Sequence, residues 1–444
     1  MAENSKGFLA TKLEQDDFST KSVPKGESKG WISMGLIWAG VGISLGMIVT
    51  GGTIGNGMSF QQAVWASLIG GGVLALVTAL CGIIGSNTGL STAMISKFTF
   101  GKSAIIVIAL IQAFGSYGWF GVQLGLFGET LSTASDLAFG IAPPIALCIV
   151  VGGICMILTA AVGYKALDLL SKIAVPLLIV LLFASVWRVL QDLSFSDIWN
   201  LQGSGEPMTL GFGVSTAIAS FIVGAVVAPD VSRYGRSAKH TAGAAISAFA
   251  IVVPIMFIIG ILLAQVAQTW DIIGIMLQLG WGMLALLVLL LAQWTSNDNN
   301  LYCAALGFAV VFKKMKKYQL TIIAGVIGII LALAGIYDNL IVFLSFLGIL
   351  IPPMGGVMIA DYYFFNRRFY RPEFQERLRN INVLPFAAWI AGSGVAILTT
   401  YTAFDLTTAP SIDGLLIGFA VHFVGSKFIK RELIEDTEPA GAAA

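Results

Sequence analysis

Charge is scarce in this sequence. Of 444 residues only 11% are Asp, Glu, Lys or Arg, 25 basic and 24 acidic, where soluble domains carry about 25%. A water-facing surface of ordinary size cannot be covered from that supply, which excludes a soluble globular protein. Histidine occurs twice and cysteine four times. Cys81, Cys148, Cys155 and Cys303 sit in apolar runs without CxxC spacing, and His240 and His422 stand far apart. Neither a disulfide framework nor a His/Cys/carboxylate metal centre is therefore expected. No Walker phosphate-binding motif is present, so an ATP-driven pump lacks its chemistry, and neither an enzyme nor a bound cofactor is expected. The net charge of +1, with no basic stripe, implies no nucleic-acid partner.

Long apolar runs are what the sequence has instead. Hydrophobic residues make up 57% and the mean hydropathy is +0.87. A hydrocarbon layer of about 30 Å needs about 20 apolar residues per helix. The chain offers about twelve such stretches, at 31–51, 62–85, 103–130, 142–163, 168–190, 209–228, 241–267, 280–311, 318–336, 339–363, 382–402 and 411–429. They are continuous Leu/Ile/Val/Ala/Gly runs, where barrel strands would alternate over about ten residues. The expected fold is an all-α polytopic membrane protein with about twelve transmembrane helices. A polar tail at 1–30 lacks the apolar region and cleavage site of a removable signal, so the first helix is expected to stay.

Alternate gaps between the stretches differ in charge. With the N-terminus in the cytoplasm, Lys97, Lys102, Lys165, Lys172, Arg233, Arg236, Lys239, Lys313 to Lys317, Arg367 to Arg379 and Lys427 to Arg431 share one side. Only Arg188 falls on the other. The opposite gaps carry Asp136, Asp192, Asp197, Glu206, Asp271, Asp338 and Asp405, so the positive-inside bias puts both termini in the cytoplasm of a multi-pass protein of the inner membrane. The Lys313 to Lys317 run is read as part of that topology signal. Tails of 1–30 and 431–444 are too short to fold as signalling domains. They are expected to be disordered, the surroundings are membrane lipid, and no obligate protein partner is inferred.

Glycine numbers 51, and it gathers in two spans. The first holds Gly40, Gly42, Gly46, Gly51 and Gly52; the sixth holds Gly211, Gly213 and Gly224 before Pro229. These positions correspond if the chain is two repeats of five spans. Small residues let membrane helices approach closely, but the same pattern fits helices that unwind near mid-bilayer and expose carbonyls to a cation and a substrate. Both readings stand on the sequence.

The eighth span interrupts its apolar run with Gln293 to Tyr302, a polar cluster that lipid cannot face and that belongs at a cavity or in the protein interior. Thr295 and Ser296 bring adjacent hydroxyls suited to a monovalent cation, and Asn297 brings donors and an acceptor. Asp298 fits cation neutralisation, proton transfer or a bond to a neighbouring helix, and is given no transport role. In the third span Trp119 and Gln123 lie at i and i+4 on one face, with Gly115, Gly118 and Gly121 clearing space around the indole. An indole on span three, the phenyl of Phe221 on span six and the amide of Asn297 together describe a pocket for a small, flat, neutral, hydrogen-bonding ring. A nucleobase meets that description.

Five ordered segments carry a resemblance over nearly the whole chain: Thr50 to Gly55, Gly118 to Val122, Ser220 to Ile222 with Asp230 to Arg236, Trp294 to Asn299, and Ile351 to Tyr362. In these the sequence resembles the nucleobase:cation symporter-1 family, most closely its bacterial cytosine-permease branch. The resemblance implies a five-plus-five inverted repeat (31–190 and 209–363, together a transport core 31–363) with broken helices one and six and two accessory helices in 364–430. It implies inward symport of a nucleobase, cytosine first, with Na+ or H+. The family's stacking aromatics fall on Trp119 and Phe221, and its base-edge contacts on Asn297, the backbone around Ser220 and, as in hydantoin carriers, Gln123. Its sodium ligands fall on backbone oxygens of Gly40, Ile43 and Ala292 and on the hydroxyls of Thr295 and Ser296. Purines, allantoin, hydroxymethylpyrimidine and, in another class, amino acids are the alternative substrates.

Overall fold

In lipid only a helix satisfies every backbone N–H and C=O within one segment. The computed structural model is helical almost throughout and describes residues 28–162, 164–312, 314–404 and 406–429. Most of both tails, with Lys313 and Asp405, lies outside the described residues.

The chain opens with α1 (Trp31–Gly42), α2 (Leu45–Asn56), α3 (Phe60–Thr88), α4 (Thr92–Phe100), α5 (Ala104–Phe139) and α6 (Ile145–Val162). There follow α7 (Tyr164–Leu190), α8 (Phe195–Trp199), α9 (Leu210–Val226), α10 (Pro229–Ser232), α11 (Ala238–Ala245) and α12 (Val253–Ala267). The remainder is α13 (Ile272–Gln278), α14 (Gly282–Val311), α15 (Lys317–Leu333), α16 (Leu340–Ala360), α17 (Val383–Tyr401) and α18 (Pro410–Phe428). Each of the twelve expected stretches contains one of these helices or a pair. Among the described residues seven helices are long and apolar enough to cross a membrane, or eight if the bent α1–α2 pair is one span, and three shorter apolar helices accompany them. α14 is not among these; its middle carries the polar cluster.

The two glycine-rich spans behave differently. α1 and α2 meet at a 57° bend, where Ile43 (φ −81°, ψ 78°) and Ser44 (φ −136°, ψ 154°) leave the helical region. Span six does not break among its glycines. α9 runs unbroken through Ser220 and Phe221 to Val226, and the helix gives way only before Pro229. Its glycines serve packing: a methyl on Gly213 would come 2.7 Å from Met58, and one on Gly211 would meet the Thr408 backbone at 2.0 Å. The expected mid-span break in helix six is thus displaced to its end. Span seven passes through a π-helical stretch (Ile246–Val252) before Pro254, whose missing N–H is absorbed at the head of α12. The lone basic exception, Arg188, lies over the Trp281 ring at 5.9 Å.

Packing among the first ten spans repeats when span n is exchanged for span n+5. Spans one and seven pack together (α2 on α12), as do spans six and two (α9 on α3). Spans three and four (α5, α6) match spans eight and nine (α14, α15), and the two self-paired contacts, α5 with α14 and α6 with α15, are both extensive. α17 and α18 stand outside this exchange and pack on each other and on α16.

Candidate functional site

The bend between α1 and α2 is the place where backbone is opened. The Ser44 N–H donates to Gly42 O at 3.0 Å, so it does not continue the helical ladder to Gly40 O. Ile43 N–H still reaches Ala39 O at 2.8 Å. Gly40 itself is exposed, and a methyl built on it meets nothing within 4 Å. The carbonyl expected to serve a cation is thereby released from the ladder, and its residue faces open space.

Two of the expected recognition residues touch the first turn of α2. The Trp119 indole lies over Gly46, where an added methyl would sit 3.2 Å from the ring. It meets Phe343 of α16 edge-on, with centroids 5.7 Å apart and planes at 82°. From α9, the Ser220 hydroxyl donates to Ala217 O at 2.8 Å and lies 3.6 Å from the Met47 sulfur, beside Gly46. Phe221 is half-buried against Trp38 of α1 (6.2 Å, 87°) and Phe249 (4.8 Å, 37°). The two aromatics do not pack on each other; each lies against its own part of the broken helix.

Asn297 is turned elsewhere. Fully buried, it donates from Nδ2 to Phe120 O at 3.1 Å, lies 3.5 Å from the Met156 sulfur, and accepts from Asn300 Nδ2 at 3.4 Å. Its amide therefore joins α14 to α5 and α6, next along the chain from Trp119 but not facing Phe221. Asp298 makes the structural bond that was one of its expected alternatives. The Thr159 hydroxyl lies 3.0 and 3.1 Å from its carboxylate oxygens, and Trp294 Nε1 donates to that hydroxyl at 3.2 Å.

On α14 the expected cation set is compact. Thr295 donates its hydroxyl to Ala292 O at 2.9 Å, Ala292 and Thr295 are buried, and Ser296 is half-buried. Ala292 belongs to the same apolar core as Leu45 and Ile48 of α2, and α14 touches α2 directly. Among the described residues no three His, Cys, Asp or Glu side chains are grouped to hold a metal ion. A cation here would be held by neutral carbonyl and hydroxyl oxygens, a donor set suited to a monovalent ion.

Three buried amide oxygens lack partners among the described residues, those of Gln123, Gln265 and Gln293, and two of them lie on α5 and α14. Gln123 Oε1 and Gln293 Oε1 are buried without a hydrogen bond, while Gln293 Nε2 donates to Thr130 at 3.2 Å. Leaving such an acceptor unmet costs about 1–3 kcal/mol. The contacts Gln293–Thr130 and Asn297–Phe120 make α14 and α5 antiparallel, which puts Gln123 at the level of Thr295 and Ser296. The sequence alone assigns Gln293 no role. Its only signal there was membership of the polar cluster, which does not say which amide stays unpaired. Gly42 to Gly46 also spells GxSxG, but here it joins two helices, whereas a hydrolase nucleophile elbow needs a strand before its serine.

Residues 23–421 match the family model described as permease for cytosine/purines, uracil, thiamine, allantoin. The chain belongs to this permease family. Its relatives include the cytosine permease of Escherichia coli K12, 34% identical over 384 residues that cover 86% of this chain and 88% of that one. Among solved structures, the inward-facing conformation of Mhp1 superposes with a TM-score of 0.81 at 19% identity, covering 92% of both chains. Mhp1 in a closed conformation with bromovinylhydantoin bound, described as a nucleobase-cation-symport-1 family transporter, gives 0.77 at 20% identity, covering 93% of this chain and 95% of that one. This permease therefore has the fold of a multi-pass transporter and belongs with transporters, not with enzymes.

Proposed function

We propose that this permease imports a nucleobase, cytosine first, by symport with Na+ or H+ under alternating access. The observation that carries the reading is the opened α1–α2 junction, with Trp119 on Gly46 and Ser220 on Met47 in the same helical turn. An in-bilayer helix break flanked by an indole and a hydroxyl offers a flat ring both a stacking surface and polar atoms without demanding a charge. The cation is held by carbonyls of Gly40, Ile43 and Ala292 with the hydroxyls of Thr295 and Ser296. The ring stacks on Trp119, with Phe221, Ser220 and Gln123 as its further contacts, and Asn297 reaches it by exchanging its bond to Phe120 O for one to the ring.

In this proposal the chain crosses the inner membrane twelve times with both termini in the cytoplasm. Residues 31–190 and 209–363 form inverted repeats, which the n to n+5 packing exchange supports, and 364–430 supply the two further helices. The orphaned Gln123 oxygen favours, as a second reading, a ring with an extra N–H donor, such as a hydantoin or a purine. Coupling requires that cation binding favour the state of high base affinity, with the reciprocal effect of base on cation. Uptake of radiolabelled cytosine into proteoliposomes, with sodium and proton gradients imposed separately, tests the symport. Concentrative uptake is expected with one of them, and its absence with both rejects the proposal. Competition by purines, allantoin, hydroxymethylpyrimidine, hydantoins and free amino acids then fixes the substrate.

A further inference from the structure

A second polar concavity lies far along the chain from the residues above. It is an open concavity of about 550 Å³, lined by Asn87 and Thr88 at the end of α3, Tyr362 and Tyr370 as buried floor, and Arg367, Arg368 and Arg371. No carboxylate is in that lining. Among the described residues neither Arg367 nor Arg368 pairs with a carboxylate, and Arg371 has one exposed 3.5 Å contact with Glu373, too weak to neutralise it. Arg367 lies over Tyr362 at 5.8 Å and Arg368 over Phe369 at 4.6 Å, contacts that leave guanidinium N–H groups for an anion.

The floor is built to hold its shape. Tyr370 stacks on Phe98 (4.9 Å, 23°), meets Tyr362 edge-on at 5.2 Å, and donates to Asp361 at 2.6 Å. Asn366 also donates to Asp361, at 2.9 Å, and the Thr99 hydroxyl lies 2.8 Å from that of Tyr370. The turn that displays the three arginines is therefore tied at both ends to buried groups before any ligand arrives. Charge that merely sets topology needs neither a concavity nor a rigid floor.

The geometry points to a site for the phosphate of an anionic glycerophospholipid, such as phosphatidylglycerol, at the membrane face that the charge asymmetry assigns to the cytoplasm. Guanidinium groups bind phosphate through paired N–H bonds, basic pockets beside membrane helices take lipid headgroups, and the volume lies within the roughly 300–1,000 Å³ of small-ligand sites. The lipid source is favoured over a free anion by what adjoins the arginines. Phe364, 56% exposed, is on the turn between Tyr362 and Arg367 and packs edge-on against Phe419 and Phe423 of α18 at 5.7 and 5.1 Å. That puts an exposed aromatic ring, a surface for acyl chains, three residues before Arg367 of the phosphate cradle.

Native mass spectrometry of the purified full-length protein, titrated with phosphatidylglycerol and with phosphatidylcholine, tests the site. The intact protein should retain phosphatidylglycerol preferentially, and R367Q/R368Q/R371Q should lose about fivefold in affinity for each arginine, about a hundredfold together. The control K314Q/K316Q, which removes basic charge from another loop assigned to the same face, should leave retention unchanged. Inorganic phosphate at millimolar concentration should not displace the lipid. Equal retention by the triple variant, equal loss in the control, or displacement by inorganic phosphate each overturns the proposal. Should the triple variant not yield folded protein, photocrosslinking of a diazirine-bearing phosphatidylglycerol to the unmodified protein decides: labelling within residues 362–372 supports the site, and labelling only elsewhere sinks it.

Discussion

Two glycines five residues apart on α2 separate substrate recognition from folding under one substitution. Replacing Gly46 with Ala places a methyl 3.2 Å from the Trp119 ring, so a side chain must retreat by a few tenths of an ångström. Replacing Gly51 with Ala places a methyl 2.3 Å from the Phe257 carbonyl oxygen, with the Phe257 Cα at 2.6 Å, so two helix backbones must part. In a helix Ala is favoured over Gly by up to about 1 kcal/mol, which offsets most of the small strain at Gly46. At Gly51 the overpacking cost is at or beyond the usual ~1–3 kcal/mol, since backbone cannot swing aside as a ring can. G46A should therefore keep a normal melting temperature but tilt the indole and forfeit part of a stacking energy of about 1–3 kcal/mol, raising the KM for cytosine by about three- to tenfold. G51A should yield little folded protein. Size-exclusion yield, thermal unfolding in detergent and proteoliposome uptake read the two variants side by side. An unchanged KM in G46A would refute the stacking role of Trp119, and wild-type stability in G51A would refute the close α2–α12 packing.

Gln123→Leu removes a buried acceptor without a partner, so the melting temperature should hold or rise, by up to about 1–3 kcal/mol of stability, while base affinity falls in thermal-shift titrations. Unchanged affinity would take Gln123 out of the site. Asn297→Ala should cost stability as well as uptake, by about 1 kcal/mol, because its amide already bonds Phe120 O; a variant that loses uptake with no change in melting temperature would contradict that geometry. Thr295→Ala should weaken the cation dependence of uptake before it changes affinity for the base, and a right-shifted base curve at unaltered cation dependence would count against the cation set. In the loop before α9, the Ser194 hydroxyl and N–H bond Asp197 and hold its carboxyl below the usual range. A lowered value means this capping interaction is present above the ordinary carboxylate pKa of about 3.9 and is lost as pH falls through the lowered one. The hydrogen-exchange protection of α8, corrected for the intrinsic pH dependence of amide exchange, should fall only in that acid window, and a fall near neutrality would show that the cap does not hold the turn.

Hydropathy alone located the long apolar helices, because lipid leaves the backbone no other solution, but not the short α4, α8, α10 and α13, which lie in the gaps between the apolar stretches. The first span's glycines likewise marked a real bend, with Ile43 and Ser44 outside helical geometry. Rotation about each helix axis was much less legible. A helix apolar on all sides carries no stripe to say which face meets protein, so Asn297 was expected beside Phe221 and instead faces Phe120 and Met156. The glycines of span six misled for a related reason. Composition does not distinguish a glycine that lets backbone open from one that lets a neighbour approach, and Gly211 and Gly213 do the second. Asp298 had several readings open on sequence until Thr159, 139 residues away, supplied a partner.

Helices α17 and α18 are more than accessory once their contacts with α16 are followed from end to end. Towards the middle of α16 a methyl on Gly348 would lie 2.6 Å from the Ser411 hydroxyl; further along, one on Gly418 would lie 2.7 Å from Pro353 O, and one on Gly356 would meet Leu415 O. Trp389 of α17 donates to Leu350 O at 2.8 Å, adding a side-chain donor just before two prolines that bring no N–H to the ladder. Just past the C-terminal end of α16 His422 Nε2 lies 3.0 Å from Asp361, which also accepts from Tyr370 and Asn366. Tyr370 in turn meets Thr99 of α4, whose first residue, Thr92, gives its N–H to Asp230 at the end of span six. The C-terminal arm of α16 is thus fixed to α18, α4 and span six. Under alternating access, a bend at Pro352 and Pro353 leaves the arm beyond Gly348 as the part free to swing. That arm carries Phe343, the ring already seated against Trp119, so any outward motion of α16 begins by uncovering the surface proposed to stack the base.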